Sequence, residues 1–175
     1  MAYSEDFMRQ STCLIGSIAE ILMPRHWIMG TAESCTGGLV AALCTELPGS
    51  SAWFAGGMVT YSNSLKTSLL GVESGMLASH GAVSGPVAER MAVGALAALD
   101  VQASVGISGI AGPDGGSPGK PVGTVWIGVA VREPEEGEAR SLIRHFLFPG
   151  NRGEVRASAC FEALTMLLEI LQARP

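Results

Sequence analysis

Charged side chains are scarce in this chain of 175 residues. Asp, Glu, Lys and Arg make up 15% of it, against 47% hydrophobic residues. Disordered segments show the opposite balance, so a globular chain with a sizeable core is expected. Positive charge is the scarcer sign, with 11 Lys and Arg against 16 Asp and Glu and a net charge of −5. A nucleic-acid surface needs a basic excess, so no nucleic-acid partner is expected. A local cationic pocket for a small anion stays open. Long apolar runs are missing too. None approaches the ~20 residues that span a bilayer, and no basic stretch followed by an apolar one resembles a secretory signal. No membrane partner is expected, and the location expected is cytoplasmic.

Cysteine is sparse and unpaired in pattern. Cys13, Cys35, Cys44 and Cys160 contain no Cys-x-x-Cys, and none has a histidine at metal-ligand spacing. No metal site is expected. Cys13 and Cys160 fall in helix-like apolar runs and read as buried free thiols. Cys35 follows Ser34 directly and is a nucleophile to weigh, although no histidine lies near it to activate it. Reduced thiols fit a cytoplasmic protein. The mean hydropathy is positive, at +0.34, which allows an apolar subunit interface. A symmetric homo-oligomer, most simply a dimer, is expected.

Phe7, Leu14, Ile15, Ile18, Ile21 and Leu22 recur at helical spacing and predict a helix over 5–23. A short strand is expected over 26–32. After a sharp turn, Gly37 and Gly38 open a helix running to Glu46, closed by Pro48 and Gly49. Residues 52–61 read as a strand, with Gly56 and Gly57 marking a bulge or a close backbone approach. Short helices follow over 63–70 and 73–80. Ser84, Gly85 and Pro86 read as an N-cap with proline in the first turn of a helix that ends near Asp100. Residues 101–108 form a buried strand. The glycine- and proline-rich loop over 109–121 has a length typical of functional loops. Residues 123–131 and 140–148 read as a hairpin with a solvated acidic tip over 133–138. Asn151-x-x-Glu154 is a capping box for a last helix over 152–172. No repeat or linker intervenes, so residues 1–175 are expected to form one domain. The fold class is α/β: a three-layer α/β/α domain with a mixed sheet.

Reactive groups concentrate in two segments. Ser34 lies at a sharp strand-to-helix turn, a place that exposes a hydroxyl to a ligand. The second segment supplies Tyr61 and Lys66, five residues apart. Serine, lysine and tyrosine suffice for nucleophilic catalysis without histidine or metal. His26, His80 and His145 sit in no recognisable triad context. Lys66 must be desolvated, or set near other cations, to accept a proton at neutral pH. The spacing alone equally allows Ser34 as a helix N-cap, Tyr61 as a half-buried strand residue and Lys66 as a solvated lysine. Thr36, Gly37 and Gly38 offer backbone N–H groups to an anion or oxyanion, or simply a tight turn. They form no Walker A motif. Ser108, Gly109, Ile110, Ala111, Gly112 and Pro113 leave a strand's carboxyl end, where ligands bind in open α/β sheets. Turn chemistry, started by Asp114, is the other reading. Arg152 and Arg156 share a helix face and suit a phosphate, or a solvated surface. Their position opposes the helix dipole, a mild sign of function.

Five segments together carry a resemblance: Ala-Glu-Ser-Cys-Thr-Gly-Gly, Val-Thr-Tyr-Ser-Asn-x-x-Lys, His-Gly-Ala-Val-Ser, Ser-Gly-Ile-Ala-Gly-Pro-Asp-Gly-Gly and Lys-Pro-Val-Gly-Thr-Val-Trp. The chain resembles the C-terminal domain of the competence/damage-inducible protein CinA and the stand-alone nicotinamide-nucleotide amidohydrolases of that family. The likeness covers about residues 5–172, without the family's molybdopterin-binding-like domain, so a stand-alone form is expected. The resemblance implies hydrolysis of the carboxamide of nicotinamide mononucleotide to nicotinate mononucleotide and ammonia, in pyridine-nucleotide salvage. It implies Ser34 as nucleophile, Lys66 as base and Tyr61 as assisting hydroxyl. Thr36, Gly37, Gly38, Asn63 and the 108–113 loop are expected to line the substrate site, with Arg152 or Arg156 on the phosphate. Asn151 stands where the family often has Asp. No cofactor is expected. The competing readings are a nucleotide-binding or regulatory module without turnover, a serine–lysine amidase or esterase with another substrate, and a structural protein acting through partners.

Overall fold

The computed structural model describes residues 3–133 and 137–173. The centre of the expected acidic tip, residues 134–136, lies outside the described residues. The elements run α1 (Glu5–Leu22), β1 (Met29–Glu33), α2 (Leu39–Thr45), β2 (Phe54–Val59), α3 (Asn63–Leu70), α4 (Ser74–His80), α5 (Gly85–Ala98), β3 (Ala103–Gly109), β4 (Thr124–Val131), β5 (Arg140–Leu147) and α6 (Arg152–Gln172).

The strands form one sheet in the order β2-β1-β3-β4-β5. β1 is parallel to both β2 and β3, whereas β3–β4 and β4–β5 are antiparallel. The sheet is mixed, as expected. Period-2 alternation sorts each strand between two cores. Met29, Val105, Ile107, Val125 and Ile127 pack with α1, α2 and α6. Ala32 packs with Leu70, Val87 and Met91 of the helices on the opposite face. The result is the expected three-layer α/β/α sandwich.

Two glycines set how closely α5 lies on the sheet. Gly106 and Gly128 are register partners on β3 and β4. A Cβ at Gly106 would stand 2.5 Å from the Ala88 oxygen and the Ala92 nitrogen, and one at Gly128 2.7 Å from the same oxygen. Only glycine permits that approach of helix backbone to strand. It seats the first half of α5 against the middle of β3 and β4.

The chain leaves β1 for β2 on one side and then crosses to β3 on the other. β1 is therefore the point at which strand order reverses, and its carboxyl end opens between diverging connections. Ser34 follows it directly.

Several expectations shift. The first strand begins at Met29 rather than residue 26, because Pro24 starts a short 3-10 turn and His26 then takes the left-handed φ of 53°. The chain reverses there before it can extend. Cys13 is exposed, not buried. The buried face of α1 runs through Ser11, Ile15, Ile18, Ala19 and Leu22, and Cys13 falls off that stripe. Gly56 and Gly57 do both things expected of them. The β1–β2 register shifts at Ala55, which lies unpaired just before Gly56, and a Cβ at Gly57 would lie 2.5 Å from the Thr31 hydroxyl. Gly109 still belongs to β3, and apart from a bridge between Ser117 and Lys120 the 110–121 segment is loop.

Candidate active site

The site grows from three strand ends. β1 finishes at Glu33, whose side chain is buried. Its Oε1 accepts from the Thr31 hydroxyl and the Ala41 N–H, and its Oε2 from the N–H groups of Gly38 and Val40. These are the donors that the start of α2 leaves without intrahelical partners. The anion at this helix start is therefore the chain's own carboxylate. That corrects the expectation that Gly37 and Gly38 offer their N–H groups to a ligand. Gly38 gives its N–H to Glu33, and Gly37 gives its N–H to the Ser34 carbonyl at 3.1 Å. The two glycines instead supply the positive φ values, 63° and 89°, that the turn requires. Among the described residues, the Thr36 N–H meets no acceptor and the Cys35 N–H meets only its own thiol. They are the free donors beside Ser34.

Lys66 reaches the same place from α3. Ser62 caps that helix by accepting the Leu65 N–H, which fixes the phase that turns Lys66 inward. The lysine is 1% exposed and Ser34 8%. Lys66 Nζ lies 2.7 Å from the Thr60 carbonyl, 3.3 Å from the Tyr61 carbonyl and 3.1 Å from Ser34 Oγ. As an ammonium, Nζ donates to all three oxygens. Once it gives up a proton, the two carbonyls can hold its remaining N–H groups, and a lone pair is left toward the Ser34 hydroxyl. Burial lowers the Lys66 pKa below the ordinary lysine value, opposed by a smaller effect of Cys35. The described residues bring no carboxylate against the ammonium.

Tyr61 is brought to this pair by its carbonyl and not by its phenol. The side chain is 63% exposed, and its hydroxyl makes no hydrogen bond among the described residues. Extended backbone at a strand's exit points carbonyl and side chain in different directions, a distinction that sequence spacing cannot express. Asn63 lies on the first turn of α3 in a groove with Ser64, Thr67, Ser68, Ser74 and Leu77. It makes no hydrogen bond to Ser34 or Lys66.

The 108–113 segment is tied down rather than free. Ser108 Oγ donates to the Ala82 carbonyl at 2.7 Å, so that hydroxyl latches β3 to the turn before α5. Ile110 exchanges backbone bonds with Thr124 and Gly123, and Ala111 is buried. The Gly112 carbonyl accepts from Arg152 Nη1 at 2.8 Å. Gly109 closes β3 and Pro113 follows Gly112 at the loop's bend. Lys120 holds the far side by donating to the carbonyls of His80 and Val83.

Arg156 spans from α6 to the serine turn. Its Nε and Nη2 both donate to the Thr36 carbonyl, at 3.2 and 2.6 Å. The two arginines thus reach the two loops that flank Ser34. The capping box expected at Asn151 is complete, with its side chain accepting from Gly153 and Glu154 and its N–H donating to Glu154. It holds α6 in the phase that aims both guanidiniums inward.

Cys35 is no competitor for Ser34. Burial pushes its thiol up to about 11, so the thiolate is scarce at neutral pH. Sequence reading missed Glu33 and Lys120 as site-building residues. Glu33 stands just before the serine in the motif, and an acid next to a glycine-opened helix was the available signal.

These features define a three-layer α/β protein with a serine–lysine pair at the carboxyl edge of its sheet. The chain belongs to the CinA C-terminal domain family, whose model matches residues 12–171. It is 49% identical over 150 residues to the nicotinamide-nucleotide amidohydrolase PncC of Escherichia coli strain K12, covering 86% of this chain and 88% of that one. It is 47% identical over 167 residues to a CinA-like protein of Mycolicibacterium vanbaalenii, covering 95% of this chain. The chain spans only 38% of the length of that relative. Among solved structures, the competence/damage inducible protein CihA of Agrobacterium tumefaciens superposes with a TM-score of 0.87 at 36% identity, covering 98% of this chain and 99% of that one. The competence damage-inducible protein A of Klebsiella pneumoniae superposes at 0.85 and 35%, covering 94% and 99%.

Proposed function

We propose that the chain hydrolyses the carboxamide of nicotinamide mononucleotide to nicotinate mononucleotide and ammonia, through an acyl-serine at Ser34. The observation that carries this reading is the 3.1 Å contact between buried Lys66 Nζ and Ser34 Oγ. The amidohydrolase relative from Escherichia coli supports the choice of substrate.

In the first step Ser34 Oγ bonds to the amide carbon while its proton passes to Lys66 Nζ. The Thr60 and Tyr61 carbonyls steady the ammonium that forms. The N–H groups of Cys35 and Thr36 receive the oxyanion, the first of them being the donor that follows the nucleophile in strand–turn–helix hydrolases. Collapse breaks the C–N bond, and the lysine's proton leaves with the nitrogen as ammonia. Water then attacks the acyl-serine, Lys66 takes its proton, and the acid departs as Ser34 is restored. Lys66 acts as base and acid in turn, which needs a value near the working pH. Tyr61 serves this pair through its carbonyl, and its exposed phenol is assigned to the substrate's side together with Asn63. Arg152 makes one bond to Gly112 and keeps its other N–H groups for the phosphate.

The same reading makes residues 1–175 one catalytic domain that needs no cofactor and serves pyridine-nucleotide salvage in the cytoplasm. It also makes it a symmetric homo-oligomer, most simply a dimer. The exposed apolar side chains of Val59, Leu65 and Leu69 beside the site support that last point. The test is ammonia release from nicotinamide mononucleotide, with and without a chelator, by the wild type and Ser34→Ala. Chelator-insensitive release that Ser34→Ala abolishes is expected. Release by Ser34→Ala at the wild-type rate would refute the mechanism, and no release by the wild type would refute the substrate.

A further inference from the structure

We infer that Arg156 is a positioning residue, not a ligand of the substrate's phosphate: it locks the peptide between Thr36 and Gly37 and thereby aims the free N–H groups of Cys35 and Thr36 beside Ser34. The inference rests on the acyl-serine reading above and adds to it the group that keeps the oxyanion donors in place.

The peptide in question is held at both ends. Its carbonyl, on Thr36, accepts two bonds from Arg156 Nε and Nη2 at 3.2 and 2.6 Å. Its N–H, on Gly37, donates to the Ser34 carbonyl at 3.1 Å. The next N–H along, on Gly38, is taken by Glu33 at 3.0 Å. The Thr36 carbonyl and the N–H groups of Gly37 and Gly38 are therefore committed to other residues, whereas the N–H groups of Cys35 and Thr36 are not. A peptide plane with neither end free cannot rotate, and the N–H of Thr36 belongs to the adjoining plane. An oxyanion hole works only when its donors are oriented before the charge develops. The guanidinium also packs on the turn itself, since a Cβ at Gly37 would lie 3.5 Å from Nη2.

The same geometry argues against a phosphate role. Arginine grips a phosphate or carboxylate through a pair of parallel N–H groups. The Nε–Nη2 edge of Arg156 is such a pair, and both of its donors are spent on one carbonyl. Arg152 spends a single Nη1 donor on Gly112. Lysine cannot replace Arg156, because one ammonium cannot reproduce the paired donors of a rigid planar guanidinium edge.

The experiment compares wild type, Arg156→Lys and Arg156→Gln on two amides that differ only in the phosphate, nicotinamide mononucleotide and nicotinamide riboside. Thermal melts select the variants that remain folded. A positioning role lowers kcat by about 10- to 100-fold, the size of a small misplacement of reacting groups. The factor is the same for both amides, KM stays nearly constant, and Arg156→Lys is no better than Arg156→Gln. A loss confined to the phosphorylated amide and seen in KM, or full rescue by lysine, would overturn the inference. A third readout is independent of the amide: the rate at which p-nitrophenyl acetate acylates Ser34, followed by mass. Slower acylation in both variants supports the positioning role, and an unchanged rate overturns it. If the wild type hydrolyses neither amide but Ser34 still acylates, the substrate assignment falls and the acylation rates decide on Arg156 alone. Absence of any Ser34 acylation and any turnover overturns both.

Discussion

Replacing Glu33 with glutamine tests whether this carboxylate builds the serine turn. Its oxygens are buried and accept from the Thr31 hydroxyl and from the N–H groups of Gly38, Val40 and Ala41. A glutamine keeps one oxygen. Its best orientation leaves that oxygen on Gly38 and Val40 and turns the NH2 toward Thr31, whose hydroxyl can rotate to accept. The Ala41 N–H then faces a donor. One unmet buried donor costs about 1–3 kcal/mol. The bonds that survive lose their charge assistance, roughly half of their strength. The easier burial of a neutral amide offsets part of this. The expected net loss is about 2–4 kcal/mol, between the cost of one unmet buried donor and that of breaking a buried charged pair. That is a large share of the ~5–15 kcal/mol that holds a domain together. Urea unfolding followed by tryptophan fluorescence, with Trp27 and Trp53 buried, should show a lower midpoint at unchanged slope. A change under about 0.5 kcal/mol, the level of an inert surface substitution, would refute the claim that Glu33 holds the start of α2.

Three further outcomes are expected. The Lys66 pKa is lowered by burial, so kcat/KM should rise with pH and level off below the ordinary lysine value. Between the folded and ordinary values the unfolded chain holds a proton that the folded chain has released, so wild-type stability rises with pH through that window. Lys66→Met lacks this gain. Its stability relative to the wild type should therefore fall as pH increases, whereas a difference constant with pH would contradict the lowered value. Alkylation with iodoacetamide should mark exposed Cys13 and spare Cys35, Cys44 and Cys160, because burial raises their thiols, Cys35 to about 11 and Cys44 to about 12. Peptide mapping checks the sites, and turnover should survive the labelling. Inactivation that tracks modification of Cys35 would return it to consideration as the nucleophile.

What the chain's sequence determined by itself is local. Apolar spacing along residues 5–22 marks α1 because a helix buries every third or fourth side chain. Asn151 and Glu154 cap α6 because both partners lie within one turn. Ser34, Lys66 and Arg156 were legible as chemistry, since their residue types and neighbours form recognisable motifs. Cys13 was misread because a short apolar run does not say which stripe of the helix turns inward. Only the tertiary structure decided what these groups do to one another. Lys66 meets Ser34 across 32 residues of chain and Arg156 meets Thr36 across 120, contacts made when β1 and β2 pair and α6 packs on the sheet. Burial of the lysine is what lowers its pKa, and burial belongs to the assembled layers. Likewise Tyr61 turns its carbonyl to the lysine and its ring to solvent, and Glu33 fills the helix start that the glycines seemed to offer to a ligand. Both follow from directions of backbone and side chain that a string of residue types does not contain.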